Sequence, residues 1–374
     1  MSEDASQESV GAFPAGHASR VTRHGARVLS LVCLVAALAC VFWGLRQLDG
    51  PTARYLRTIT TAEGGGTLTV PWMAFISQAG NWIGDGRQLL IVSAILLAVG
   101  WMLPASRGLV IGVQTLWAHG LATILVHTVK HLIGRPRPKF SASGDWSIAP
   151  SLASGFDSFP SGHTTATCAL AMVLSRRFPL LAALFMGIAA FVALSRVLRG
   201  SHFPSDVFGG WVLGTISGMV AAAPWNEWRA SVAFALYHAA GGTVWGFGLF
   251  WAMAYPVESG PESSFLIGIG ALLVASGVVI RVRERWSNQT VPASRSAQGA
   301  VMALAMGLSL MSTAPIVIAA AGLLCVALWL REDQTAIAGE QSYWGGVLRE
   351  CELLVAVAGT LAILVAGRGV LPLS

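Results

Sequence analysis

Apolar runs of the length needed to cross a hydrocarbon core, about 20 residues, recur along the chain, separated by polar or Gly- and Pro-bearing breaks. The pattern predicts helical spans over residues 28–45, 88–103, 109–133, 163–174, 180–198 and 207–223. Further apolar stretches follow at 230–254, 265–280, 299–330 and 351–366, the third either split or merely kinked at Pro315. Between the first two spans, "PWMAFISQAGNWIG" (71–84) mixes Trp and Phe with polar residues and Gly. It reads as an interfacial or partly re-entrant segment, or equally as an amphipathic connector. The expectation is an all-α protein, a polytopic transmembrane helical bundle. A six-helix core would occupy 28–224, with additional C-terminal transmembrane helices of unknown role at 225–374. Residues 1–27, polar and with a basic end at Arg20, Arg23 and Arg27, read as a disordered cytoplasmic tail.

Composition supports the membrane reading. The chain is 54% hydrophobic and 11% charged, against about a quarter charged in soluble domains. The formal charge of +6 does not imply nucleic acid, because the arginines are scattered at the ends of apolar segments without a long basic tract. The five cysteines show no CxxC spacing, so neither a disulfide framework nor a zinc site is expected. "ALAC" at Cys40 resembles a lipoprotein cleavage site, but the apolar run continues past it, which favours an uncleaved first span.

With a cytoplasmic N-terminus, the even-numbered loops carry Arg107, Arg176, Arg177 and Arg229, as the positive-inside rule requires. The loops after the third and fifth spans then lie outside, yet they hold Lys130, Arg135, Arg137, Lys139, Arg196 and Arg199. Basic residues on the side where the rule disfavours them are better explained by a bound anion than by topology.

Three short segments supply that anion site: "KHLIGRPRP" with Lys130 and Arg137, "PSGH" ending in His163, and "SRVLRGSHFPSD" with Ser195, Arg196, His202 and Asp206. A phosphoryl group in transfer spreads negative charge over its oxygens, so arginine forks and a lysine point charge can cradle it without a metal. Ser161 and Gly162 begin an apolar run, where a helix start offers free N–H groups to an anion. Asp206 lies four residues after His202 and can orient its ring, leaving the other nitrogen free to attack.

Lys-x6-Arg-Pro, Pro-Ser-Gly-His and Ser-Arg-x5-His-x3-Asp, in this order, closely resemble the tripartite signature of the type 2 phosphatidic acid phosphatase superfamily. The resemblance covers roughly the six-span core and implies metal-independent hydrolysis of a phosphomonoester or diphosphate on a membrane lipid, with no cofactor. It further implies His202 as the nucleophile forming a phosphohistidine, Asp206 as its orienting partner, and His163 as acid for the leaving group and then base for water. Lys130, Arg137, Ser161, Gly162 and Arg196 would bind phosphate, with Ser195 in a supporting role. A phosphotransferase passing the phosphate to another lipid is the alternative chemistry. A transporter or scaffold working through the C-terminal spans is the alternative class.

Other polar residues have plainer readings. His127 and His131 lack a third metal ligand in sequence, Arg135, Lys139 and Arg199 suit lipid-headgroup or substrate contact, and Asp145 and Asp157 read as solvated or turn-forming. Glu350 and Glu352 sit beside the last apolar run as a solvated helix end. The topology is tested by single cysteines in intact cells: one at Ser143 should label from outside and one at Asn288 should not. The reverse pattern would overturn the orientation.

Overall fold

A computed structural model describes residues 15–59, 70–102, 106–141, 143–144, 146, 149–223, 228–255, 260–286, 295–331 and 357–360. Asp145, Glu350, Glu352, Cys351 and most of the apolar run 351–366 lie outside the described residues. The fold is all helical: α1 (Ala15–Thr58), α2 (Pro71–Ile83), α3 (Gly86–Met102), α4 (Ser106–Ile133), α5 (Gly162–Arg177), α6 (Ala182–Leu198), α7 (Pro204–Ala222), α8 (Trp228–Ala254), α9 (Pro261–Trp286), α10 (Arg295–Ser312) and α11 (Pro315–Arg331).

Several boundaries depart from the hydropathy reading. α1 starts at Ala15, so residues 15–27, expected in a disordered tail, are helical, and the helix continues past Pro51 to Thr58. α2 and α3 meet at a 51° bend, and of the two readings at Pro315 the structure has the split, with Thr313 at φ 55° in the turn between two helices. Among the described residues four helices are long and apolar enough to cross a membrane, or five if the bent pair is one span. α5, at 16 residues, is too short to be among them. α5 is rich in Thr and Ala and nearly every residue from Thr164 to Ser175 is buried, so protein rather than lipid surrounds it and it need not be apolar.

Two apolar cores organise the helices. One joins Ala118 and Ala122 of α4, Cys168 and Met172 of α5, Ala189 of α6 and Met219 of α7. The other gathers Leu34, Val41, Leu45 and Leu48 of α1 with Val244 and Phe247 of α8, Leu304 and Leu308 of α10, and Val317 and Leu324 of α11. The first helix therefore shares its core with the C-terminal helices.

α5 and α7 run side by side in the same direction because α7 turns a stripe of glycines, Gly210, Gly214 and Gly218, onto the backbone of α5. A Cβ on Gly214 would stand 2.6 Å from the Thr165 carbonyl oxygen and 2.7 Å from Cys168 Cβ. This spacing of small residues lets two backbones approach closely inside a membrane. Gly214→Leu should therefore lower thermal stability in detergent by about 1–3 kcal/mol or more, as overpacking does, with activity falling in parallel; an unchanged melting profile would contradict this packing.

Candidate active site

The loops at one end of the bundle converge on a cavity of about 340 Å³ lined by Lys130, Arg137, Gly162, His163, Arg196 and His202, among others. Each side chain reaches it through a local device. α4 ends at Gly134, whose φ of +63° and 1.7 Å clearance between a Cβ and the Ala149 carbonyl oxygen exclude other residues. The chain then turns through Arg135, Pro136 and Arg137. After α6 comes Gly200, also left-handed at φ +62°, and the N–H groups of Ser201 and His202 return to the Arg196 carbonyl. That turn brings His202 beside Arg196.

The helix starts are equally specific. Ser161 takes the cap position of α5 but its side chain makes no cap hydrogen bond. Its N–H donates instead to the Asp206 carbonyl at 2.9 Å, and its hydroxyl accepts from Thr164 Oγ1 at 3.0 Å. The first N–H groups of α5 remain for an anion. A Cβ on Gly162 would project to 3.9 Å from Lys130 Nζ, into the space that anion needs. At the start of α7, Asp206 Oδ2 accepts from the Phe203 N–H at 2.8 Å, which fixes the carboxylate against its own helix turn.

His202 is held differently from the sequence expectation. Its Nδ1 lies 2.7 Å from the Ser158 carbonyl oxygen, while Asp206 Oδ2 is 3.8 Å away. A carbonyl only accepts, so Nδ1 carries the proton and Nε2 keeps its lone pair. Asp206 acts one step back: its Oδ2 accepts from Ser158 Oγ at 2.6 Å, fixing the residue whose carbonyl aligns the ring. Burial pushes the His202 imidazole down to about 4, against the opposing pull of Asp206. The ring is therefore neutral above that pH.

Arg135 overturns its expected role as a headgroup or substrate contact, because it is 0% exposed. Its Nη1 donates to Asp206 Oδ1 at 2.6 Å and Ser205 Oγ at 2.7 Å. Its Nη2 donates to Asp49 Oδ2 at 2.7 Å and the Gly144 carbonyl at 3.0 Å. The guanidinium also lies 4.1 Å from the Phe203 ring centroid and 4.4 Å from that of Trp146. Asp49, near the end of α1, further accepts from the Ser205 N–H at 3.0 Å and from Ser205 Oγ at 2.5 Å.

Asp157 was read as solvated or turn-forming, and it is a half-buried ion-pair partner instead. It accepts from Arg137 Nε at 2.8 Å and Nη2 at 2.6 Å, with Lys130 Nζ 3.5 Å away. Burial raises its carboxyl, but the Arg137 hydrogen bonds and the Lys130 charge outweigh that and hold it at about 2. Arg196, 4% exposed, donates from Nη1 to Asn81 Oδ1 at 2.5 Å, so the α2 segment is more than a connector. A Cβ on Gly80 would meet Ser195 Cβ at 2.3 Å, and Ser195 Oγ turns back to the Val192 carbonyl at 2.6 Å. Lys139 and Arg199 are exposed and do not line the cavity. His127 stacks on His131 with centroids 6.1 Å apart, and among the described residues no three His, Cys, Asp or Glu side chains are grouped to hold a metal ion.

Comparison with known proteins places this geometry in a family. The model of the PAP2 superfamily matches residues 111–229. The lipid A 1-phosphatase of Rhizobium johnstonii is 35% identical over 200 residues, covering 51% of this chain and 78% of that protein. The chain belongs to the PAP2 superfamily. It is a lipid phosphatase of the membrane-bound kind. The lipid A 1-phosphatase of Rhizobium etli is 29% identical over 197 residues, covering 48% of this PAP2 protein and 80% of that one. The decaprenylphosphoryl-5-phosphoribose phosphatase of Mycobacterium tuberculosis is 34% identical over 133 residues, covering 33% and 70%. No solved structure matches the chain.

Asp49, Ser158 and Asn81 are the residues sequence reasoning missed, and Arg135 and Asp157 are those it gave another role. The available signals were an acid at the edge of the first apolar run, an arginine two positions before the signature arginine, and a lone Asn in the 71–84 segment. Arg135→Met leaves Asp49 and Asp206 buried without their shared cation. It should cost about 3–5 kcal/mol, the usual penalty for breaking a buried ion pair, seen as a lower melting temperature by size-exclusion chromatography. A variant as stable as the parent would show the network to be dispensable.

Proposed function

We propose that this lipid phosphatase works through a phosphohistidine on His202 at the periplasmic face of a bacterial-type inner membrane, with its N-terminus in the cytoplasm. The observation that carries the reading is the 2.7 Å contact between His202 Nδ1 and the Ser158 carbonyl oxygen. The Ser158 carbonyl holds Nδ1–H, so His202 offers the Nε2 lone pair to a cavity it shares with Lys130, Arg137, Arg196 and His163.

In this mechanism the phosphoryl group enters the cavity with its oxygens on the three cations and on the first N–H groups of α5. Nε2 of His202 attacks phosphorus in line with the ester oxygen, a P–N bond forms as the P–O bond breaks, and His163 gives its proton to the departing oxygen. A water then attacks the phosphohistidine. His163 takes the water's proton, the P–N bond breaks, and inorganic phosphate and neutral His202 result. Charge stabilisation comes from side chains and helix N–H groups, the role a metal ion fills elsewhere. Asp206 keeps Ser158 in place and steadies the positive charge that develops on the His202 ring.

Sidedness has one structural support. His163 lies in the first turn of α5 and Arg176 and Arg177 in its last, so roughly 20 Å of helix separates the site from the arginine pair assigned to the cytoplasm. The substrate we infer is a phosphate or diphosphate carried on a membrane lipid. Lipid A is the substrate in the names of two relatives, and a lipid with its headgroup at this end could keep its acyl chains beside exposed apolar residues such as Ile91 and Ile124.

His202→Ala should lower phosphate release from a lipid phosphate by about a thousandfold or more, the loss of a nucleophile, while inserting and purifying normally. The parent should work in excess EDTA and be inhibited by vanadate. Substantial turnover by folded His202→Ala protein would overturn the phosphohistidine, and loss in EDTA restored by a divalent ion would place a metal in the reaction.

A further inference from the structure

The cradle proposed for phosphate already holds an anion belonging to the protein. Asp157 Oδ1 and Oδ2 take the Nε and Nη2 edge of Arg137 at 2.8 and 2.6 Å, and Oδ2 lies 3.5 Å from Lys130 Nζ. Two oxygens on one guanidinium edge, with an ammonium beside them, is the contact a phosphoryl group makes with the same residues. Arg196 is bound to Asn81 instead. Building on the reading of Lys130 and Arg137 as phosphate ligands, we propose that Asp157 is an exchangeable internal counter-ion: it occupies the cradle between turnovers, yields to the substrate phosphoryl group, and returns to displace the product phosphate.

Electrostatics gives the reason. Lys130 and Arg196 are buried, at 7% and 4% exposure, and an empty pocket holding them with Arg137 would concentrate like charge in a poorly solvated space. A resident carboxylate relieves that repulsion. The same cations that stabilise the transferring group would also hold inorganic phosphate after the reaction, so a tethered competitor of the same shape speeds release.

Placement suits the exchange. The Asp157 side chain is 28% exposed while that of Lys130 is 8% exposed, which leaves the carboxylate room to swing outward. Its backbone is pinned on both sides. The Gly155 carbonyl accepts from the Arg137 N–H at 2.9 Å, and the Ser158 N–H donates to the Arg135 carbonyl at 3.0 Å. Departure therefore needs a side-chain rotation only, and the Ser158 carbonyl keeps its hold on His202 throughout.

A permanent clamp on Arg137 and an exchanging counter-ion differ in sign when the charge is removed. Asp157→Asn keeps the shape and an oxygen for Arg137, and Asp157→Ala removes both. Inhibition by inorganic phosphate and by vanadate would be measured for the detergent-purified full chain hydrolysing a lipid phosphate, after size-exclusion chromatography confirms folding. Exchange requires both inhibitors to bind about tenfold more tightly to either variant, with kcat reduced because release slows. Weaker or unchanged inhibition would overturn the proposal, since a clamp that positions Arg137 loses phosphate affinity when removed. If the parent itself resists both inhibitors, the cradle reading fails, and the exchange with it; inhibition of the parent with weaker binding to the variants refutes the exchange alone.

Discussion

The buried guanidinium of Arg135 is the interaction on which the site depends. A charge without solvent is tolerated only when paired and hydrogen-bonded, and Arg135 meets that condition by drawing Asp49 from α1, Asp206 and Ser205 from α7, and the Gly144 carbonyl from the intervening loop around one cation. None of these elements can shift alone without stranding a charge. Phe203 and Trp146 also lie close to the guanidinium, which leaves little freedom to turn.

The consequences run outward to the chemistry. With Asp206 fixed, Ser158 is fixed through its hydroxyl, and with Ser158 fixed the His202 ring can present only one nitrogen to the cavity. They also run back into the bundle. Asp49 sits on a helix whose apolar face packs with α8, α10 and α11, so the C-terminal helices support the reacting end through α1. Together the glycine stripe of α7 and this charge network set the height and rotation at which His202 joins His163 in the cavity lining.

Polar groups in this fold follow one rule at two depths. Deep in the protein, Arg135 is neutralised permanently by two carboxylates. At the cavity, Arg137 and Lys130 meet a single partly exposed carboxylate on a loop, Asp157. Burial separates the two cases: full exclusion of water makes a pair structural, whereas partial access lets one anion replace another.

Much of this was legible in the chain itself. Apolar run lengths determine that helices cross a membrane, because an unpaired backbone is untenable in hydrocarbon, and the ordered motifs around Lys130, His163 and His202 carry the resemblance from which we propose a phosphate site. The hydropathy reading located α5 and α7, but run length alone could not tell that both are largely shielded by other helices. Charge type alone cannot separate Arg135 from Arg137, two positions apart. Tertiary structure made one a buried strut and the other a cavity cation, since burial and partner depend on the loop path after Gly134. Asp49 lies 157 residues before Asp206, and no local pattern joins them. Only the packing of α1 against the start of α7 decides that they share one arginine, and so decides how His202 is held.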